Sequence, residues 1–232
     1  MSASPLPARS APSCCAEVSL PAGVRQADVP AVYARVAPIY DLWAALTESR
    51  ARARALELAA IQDGERVLEI AVGTGGTFAE VLRRNPRGQN VGVDLTPEML
   101  ARAREKAERT GVAHTLSIGD ARALAQPDHA FDLVLNAYMF DLLPEEAFGP
   151  VLGEMRRVLR PGGRLLLTNM ARGRRWHERL YEAIYKLRPA LMGGCRGVGL
   201  RPHLEAAGFR VMHEERLTQL GFPSEILVAA AS

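Results

Sequence analysis

The chain has 232 residues, 48% hydrophobic and 24% charged, which suits one globular domain with a substantial core and excludes a fibrous or globally disordered chain. Its 29 basic and 26 acidic residues leave a net charge of +3, which permits a polyanionic partner without arguing for one. No window approaches the roughly 18 consecutive apolar residues of a membrane helix and the N-terminus lacks the apolar run of a secretion signal, so a cytoplasmic protein is expected.

Residues 1–27, rich in Ser, Pro and Ala, read as a disordered tail. Cys14, Cys15 and Cys195 have neither C-x-x-C nor Cys/His spacing, so no disulfide framework and no metal site follows. Helical periodicity begins at Asp28 and is interrupted by Pro38, marking residues 28–62 as an N-terminal helical cap. Over residues 63–232 the pattern becomes β-rich runs alternating with amphipathic stretches: VLEI (67–70), TFAEVLRR (77–84), NVGVD (90–94), PEMLARAREKAERT (97–110), HTLSI (114–118), FDLVLNA (131–137), EEAFGPVLGEMRRVL (145–159) and RLLLTNM (164–170). Such alternation builds βαβ units, hence an α/β fold with a mostly parallel sheet and helices on both faces. Thr96 before Pro97 reads as an N-cap followed by proline at the first helical position, and Gly111 closes that helix. Beyond a short helix stopped by Gly208, two final strands lie too close in sequence for a parallel crossover and are expected to pair antiparallel.

The run VLEI ends in a loop containing Gly73, Gly75 and Gly76. In an open parallel sheet, ligands sit beyond the carboxyl ends of the strands, where glycine lets a ligand approach the backbone. Position 78 is Phe, so a strict G-x-G-x-x-G is absent and the loop alone does not separate a nicotinamide cofactor from S-adenosylmethionine (SAM). Asp94 ends the next strand, 19 residues after Gly75, where a carboxylate can accept from both ribose hydroxyls of an adenosine. Asp120 follows the third strand, placed to accept from the exocyclic amine of adenine.

The succession E-x-A-x-G-x-G (69–75), acidic strand end, Gly119-Asp120-Ala121, FDLV (131–134) and RVLRPGG (157–163) resembles the class I SAM-dependent methyltransferases, over about residues 65–170. That resemblance implies a Rossmann-like seven-stranded sheet whose last strand is antiparallel, SAM as cofactor and S-adenosylhomocysteine as product. It implies that Glu69, Ala71, Gly73 and Gly75 face the methionine part and that Asp94 binds the ribose. Leu95 and Met99 would flank the adenine, Asp120 and Ala121 would meet its edge, and Asn136 would lie beneath the sulfonium. Ala71-Val72 stands where many relatives have Gly-Cys. The segment VYARVAPIYDLWAAL (32–46) further resembles the stretch before the first motif in ubiquinone and menaquinone C-methyltransferases and bacterial phosphatidylethanolamine N-methyltransferases. Tyr40, with Tyr33, would then close over the cofactor, and the acceptor would be a small or lipid-like molecule.

Methyl transfer from a sulfonium is an in-line displacement from an activated donor, which needs alignment and water exclusion and requires no metal. Tyr138, Asp141, Asn169, His177, Tyr181 and Tyr185 follow the fourth and fifth strands and are candidate acceptor contacts, with His177, Tyr138 and Asp141 as candidate catalytic groups. His177 also fits the exposed side of an amphipathic helix, and His203 and His213 read as structural. The cluster Arg172, Arg174 and Arg175 fits a solvated loop, and the glycine-rich stretch 191–200 fits a connector or a lid. An NAD(P)-dependent oxidoreductase is the rival catalytic class, but no Tyr-x-x-x-Lys pair is present. A nucleic-acid base target is disfavoured, since Asn136-Ala137-Tyr138-Met139 replaces an Asn/Asp-Pro-Pro-aromatic turn. A non-catalytic SAM-binding protein would keep the same cofactor residues. The cap helices allow peripheral membrane contact or packing on the sheet.

Overall fold

The computed structural model describes residues 45–173 and 196–231. In chain order the elements are α1 (Ser49–Ala59), β1 (Arg66–Ile70), α2 (Gly76–Arg84), β2 (Gln89–Asp94), α3 (Pro97–Glu108), β3 (Thr115–Ile118) and β4 (Phe131–Ala137). A single 3-10 turn then leads into α4 (Phe148–Val158), β5 (Leu159–Met170), α5 (Arg201–Ala206), β6 (Phe209–Gln219) and β7 (Phe222–Ala231).

All seven strands form one sheet in the order β3-β2-β1-β4-β5-β7-β6. The first five run parallel, and β7 is inserted antiparallel between β5 and β6. The expected antiparallel final pair is therefore present. From β1 the chain winds outward to β3 and returns to β4 on the other side, so a crevice opens where the carboxyl ends of β1 and β4 diverge.

The central strands read as nearly unbroken apolar runs because both of their faces are covered. Successive side chains project to opposite faces. Val67, Leu133, Leu135, Leu166 and Val228 meet Ala55, Leu56 and Ala59 of α1 on one face. Their neighbours Leu68, Val134, Leu165 and Leu227 meet Phe148, Val151, Leu152 and Met155 of α4 on the other. Each such side chain removed from water contributes about 1.5–3 kcal/mol, so the sheet is held from both sides. The edge strand β3 is short, and Ile118 at its end is 63% exposed.

Two local differences from the sequence reading have physical causes. Thr96 is the N-cap of α3, as expected, but its side chain makes no capping bond; the hydroxyl hydrogen-bonds to Asp94 instead. Strand β5 begins at Leu159 rather than at Arg164, because Leu159 pairs with Phe131 and the Pro161-Gly162-Gly163 stretch is absorbed as an irregularity before Leu133 pairs with Arg164. Gly162, at φ +73, supplies the conformation that this bend needs. No described helix is long and apolar enough to cross a membrane.

Candidate active site

Beyond Ile70 the chain enters the left-handed region at Ala71, Gly73 and Gly75, with φ of 56, 54 and 79. The Val72 amide donates to Val93 O at 3.1 Å, which ties the loop to β2. Gly75 is then the N-cap of α2 and packs so closely on α3 that a Cβ there would lie 2.6 Å from the Ala103 Cα. At Gly73 a Cβ would meet nothing within 4 Å. One glycine thus permits close packing, and the other leaves an open cradle at the crevice.

Asp94 closes this cradle. Its carboxylate is buried, with Oδ2 accepting the Gly73 amide at 2.8 Å and Oδ1 accepting the Thr96 amide at 2.9 Å. Burial pushes this carboxyl up, while the Thr96 and Gly73 amides oppose the rise. The Thr96 hydroxyl and the Leu95 amide also donate to this carboxylate, so the two hydroxyls of a ribose would share its oxygens with these local donors.

Glu69 and Asn136 sit on adjacent strands at the mouth of the crevice, in the register Glu69↔Leu135 and Ile70↔Asn136. Asn136 donates through Nδ2 to Ile70 O at 2.7 Å, but its Oδ1 has no hydrogen-bond partner. Oε2 of Glu69 has none either. Burial raises the Glu69 carboxyl to about 8, with Arg52 opposing and Asp94 reinforcing. Two buried acceptors without donors, beside an open glycine cradle, fit a ligand that brings an ammonium group.

Arg52 of α1 was not singled out from sequence. Its Nε and Nη2 donate to Glu48 Oε2 at 3.1 and 2.6 Å, Nη1 donates to Thr77 Oγ1 at 3.0 Å, and the guanidinium lies 5.4 Å from the Tyr138 ring centroid. It brings positive charge to the start of α2, where a ligand carboxylate would also meet the helix amides. The i,i+4 pair Glu48 and Arg52 was a visible signal. Nothing local distinguished Arg52 from Arg54, which turns to Glu215.

On the adenine side, Leu95 is 45% exposed whereas Met99 is buried. Ala121 is half-buried and packs against the main core. The Asp120 carboxylate binds its neighbour: Arg122 donates from its amide at 2.9 Å and from Nε and Nη2 at 3.0 and 2.6 Å. This guanidinium holds Asp120 below its ordinary carboxylate range. An adenine amine would share Asp120 with Arg122.

The acceptor-side candidates Tyr138, Asp141 and Asn169 come together past β4 and β5. Tyr138, at φ 58, is buried with its Oη 2.7 Å from Ser224 Oγ. Asp141 Oδ2 accepts the Met170 amide at 2.8 Å. Burial pushes the Tyr138 phenol and the Asp141 carboxyl well above their ordinary values, and the Glu48 charge adds to both rises. His203 pairs with Glu145 and His213 with Glu215, each at 3.1 Å. Tyr33, Tyr40, Arg174, Arg175, His177, Tyr181, Tyr185 and Cys195 lie outside the described residues.

Comparison with known proteins bears on this geometry. Residues 67–163 match the family model of the methyltransferase domain. The chain is 40% identical over 140 residues to the demethylmenaquinone methyltransferase of Thermus thermophilus, covering 59% of this chain and 63% of that protein. It is 38% identical over 134 residues to a phosphatidylethanolamine N-methyltransferase of Cereibacter sphaeroides, covering 56% of this chain and 63% of that protein. The matches thus span less than two thirds of these relatives' own length. Among solved structures, the (4+2)-cyclase SpnF superimposes with a TM-score of 0.72 at 21% identity, covering 92% of this chain and 98% of that one. That likeness establishes the fold alone. The matched methyltransferase domain contains Glu69, Gly73, Asp94, Asp120 and Asn136, while Arg52, Asn169, Ser224 and Glu225 lie outside it.

Proposed function

We propose that the chain is a SAM-dependent methyltransferase acting on a small or lipid-like acceptor. One observation carries this reading: the open Gly73 cradle is closed by the Asp94 carboxylate and flanked by the donorless oxygens of Glu69 and Asn136. A methionine ammonium, its carboxylate and an adenosine ribose match, respectively, the Glu69 and Asn136 oxygens, the Arg52 side of α2 and Asp94. The matched domain and the two curated relatives support the same chemistry.

SAM supplies a methyl group already activated on a sulfonium. This chain's residues hold both partners in line and keep water out, which can lower a barrier by roughly 7–11 kcal/mol. Asp94 sets the adenosine in register, and Glu69 with Arg52 fixes the amino-acid end. Tyr138, hydrogen-bonded to Ser224, follows Asn136 past the end of β4.

Isothermal titration with SAM, S-adenosylhomocysteine and NADH in parallel tests the reading. Micromolar binding of the first two alone is expected. NADH binding in their place would reassign the crevice to a nicotinamide cofactor.

A further inference from the structure

The adenosine side of the crevice is built on the carboxyl ends of β2 and β3. These ends lie side by side, in the register Asp94↔Ile118, and the Gly119 amide donates to Asp94 O at 3.0 Å. The turn that opens at Asp120 therefore starts next to the strand end that carries the ribose carboxylate. It closes on itself, with the Ala123 amide donating to Asp120 O at 3.0 Å.

Arg122 folds back over the Asp120 side chain. Oδ1 accepts the Arg122 amide at 2.9 Å and Nε at 3.0 Å, and Oδ2 accepts Nε at 3.2 Å and Nη2 at 2.6 Å. A carboxylate has about four acceptor positions, so these four contacts, two on each oxygen, take up the set. The guanidinium also holds the carboxyl below its ordinary range, so Asp120 is an ionised group whose charge is already matched. Asp94 differs in this respect. Its local donors are the amides of Thr96, Gly73 and Leu95 and the Thr96 hydroxyl, all of them neutral, so its negative charge stays available to a ligand.

This difference bears on how a base is read. The 6-amino group of adenine donates hydrogen bonds, and a carboxylate with its charge uncompensated would favour it over an unsubstituted purine roughly 10–100-fold. Asp120 is not such a carboxylate. An amine that approaches it must crowd in beside the Arg122 donors or displace the guanidinium, and displacement breaks a bidentate charged pair to form one bond from a neutral donor. Neither route leaves a substantial gain. The side chains of Leu95, Met99 and Ala121, which the resemblance sets about the base, are apolar and read no amino group.

We propose that Arg122 is a specificity-determining residue of the cofactor site: by occupying Asp120 it removes the 6-amino group from recognition, so the base is held by its ribose and by apolar contact. The assignment rests on the methyltransferase reading and revises the role that the resemblance gives Asp120. Cofactor analogues altered at the purine 6-position should therefore be accepted.

Isothermal titration of the full-length chain compares S-adenosylhomocysteine with its analogue carrying unsubstituted purine. In the wild type the two Kd values should agree within about threefold. Arg122→Met opens Asp120, so it should tighten S-adenosylhomocysteine and widen the ratio at least threefold over the wild-type ratio. Arg122→Lys keeps the charge without the planar fork and should give a ratio between these two. A larger wild-type preference for the amino compound overturns the proposal, as does a ratio that Arg122→Met widens less than threefold or narrows. The Arg122 side chain is 43% exposed, so its loss opens no core cavity; the wild-type ratio needs no variant and is decisive even if Arg122→Met fails to fold. If neither compound binds the wild type, the underlying methyltransferase reading falls instead.

Discussion

Replacing Gly75 by Ala tests why the loop after β1 needs glycine. At φ 79 and ψ 15, an L-residue carries a strain of about 1–2 kcal/mol. The new Cβ would also stand 2.6 Å from the Ala103 Cα and 2.8 Å from its Cβ. That neighbour is largely helix backbone and cannot rotate aside, so α2 and α3 must separate where Phe78, Leu82 and Leu100 pack. Overpacking of this kind costs about 1–3 kcal/mol. The sum is about 2–5 kcal/mol, a large share of a typical domain's stability of about 5–15 kcal/mol. Urea unfolding at neutral pH measures it, with two neighbours as internal comparisons. Gly73→Ala meets the strain at φ +54 but no atom within 4 Å, so it should cost only about 1–2 kcal/mol. Gly76→Ala has open space and an ordinary φ, and should stay within about 0.5 kcal/mol. A Gly75→Ala protein within 1 kcal/mol of wild type would refute the packing argument, as would equal losses at positions 75 and 76. Gly73→Ala should separate the two readouts: its methyl enters the cradle and weakens SAM at least tenfold despite the small stability loss.

Asp94→Ala removes the acceptor of the Gly73 and Thr96 amides together with the ribose carboxylate, so calorimetry should show SAM affinity reduced about 10- to 100-fold; an unchanged Kd would contradict the assigned site. Glu69 gives a pH signature. Its folded carboxyl titrates near 8 against the ordinary 4.5, so the folded protein keeps a proton that the unfolded chain releases. The stabilisation is complete below pH 4.5 and is lost as pH rises to about 8, on the order of 3–5 kcal/mol at most. In Glu69→Gln, denaturant midpoints of the ligand-free protein should decline less across that window; an unaltered slope would remove Glu69 as the source. Arg52→Met deletes the charge that opposes the rise in Glu69, so SAM affinity should fall at least tenfold, and the pH at which that affinity changes should move upward.

Strands β1, β2 and β4 were legible because a strand covered on both faces must be apolar along its length, and the glycines and Pro97 marked where those runs stop. Glu69, Gly73, Asp94 and Asn136 were legible for a related reason: strand ends and the loops that follow them are local features, and their spacing is read directly. Arg52 was not, because its partners Thr77 and Tyr138 come from other elements, and its helix presents several arginines that look alike in sequence. Asp120 shows the reverse failure. Its position after β3 was read correctly, but only coordinates show that Arg122, two residues on, engages both of its oxygens.

The sequence by itself determined the α/β class, the antiparallel closing pair and the place of the cradle, since these follow from periodicity, turn residues and connection length. Tertiary structure alone decided that β7 enters between β5 and β6, and so sets Glu225 beside Asn169 and Ser224 against Tyr138. It alone decided which buried oxygens lack a donor. Burial and hydrogen-bond satisfaction depend on contacts between residues distant in the chain, and no local pattern encodes them.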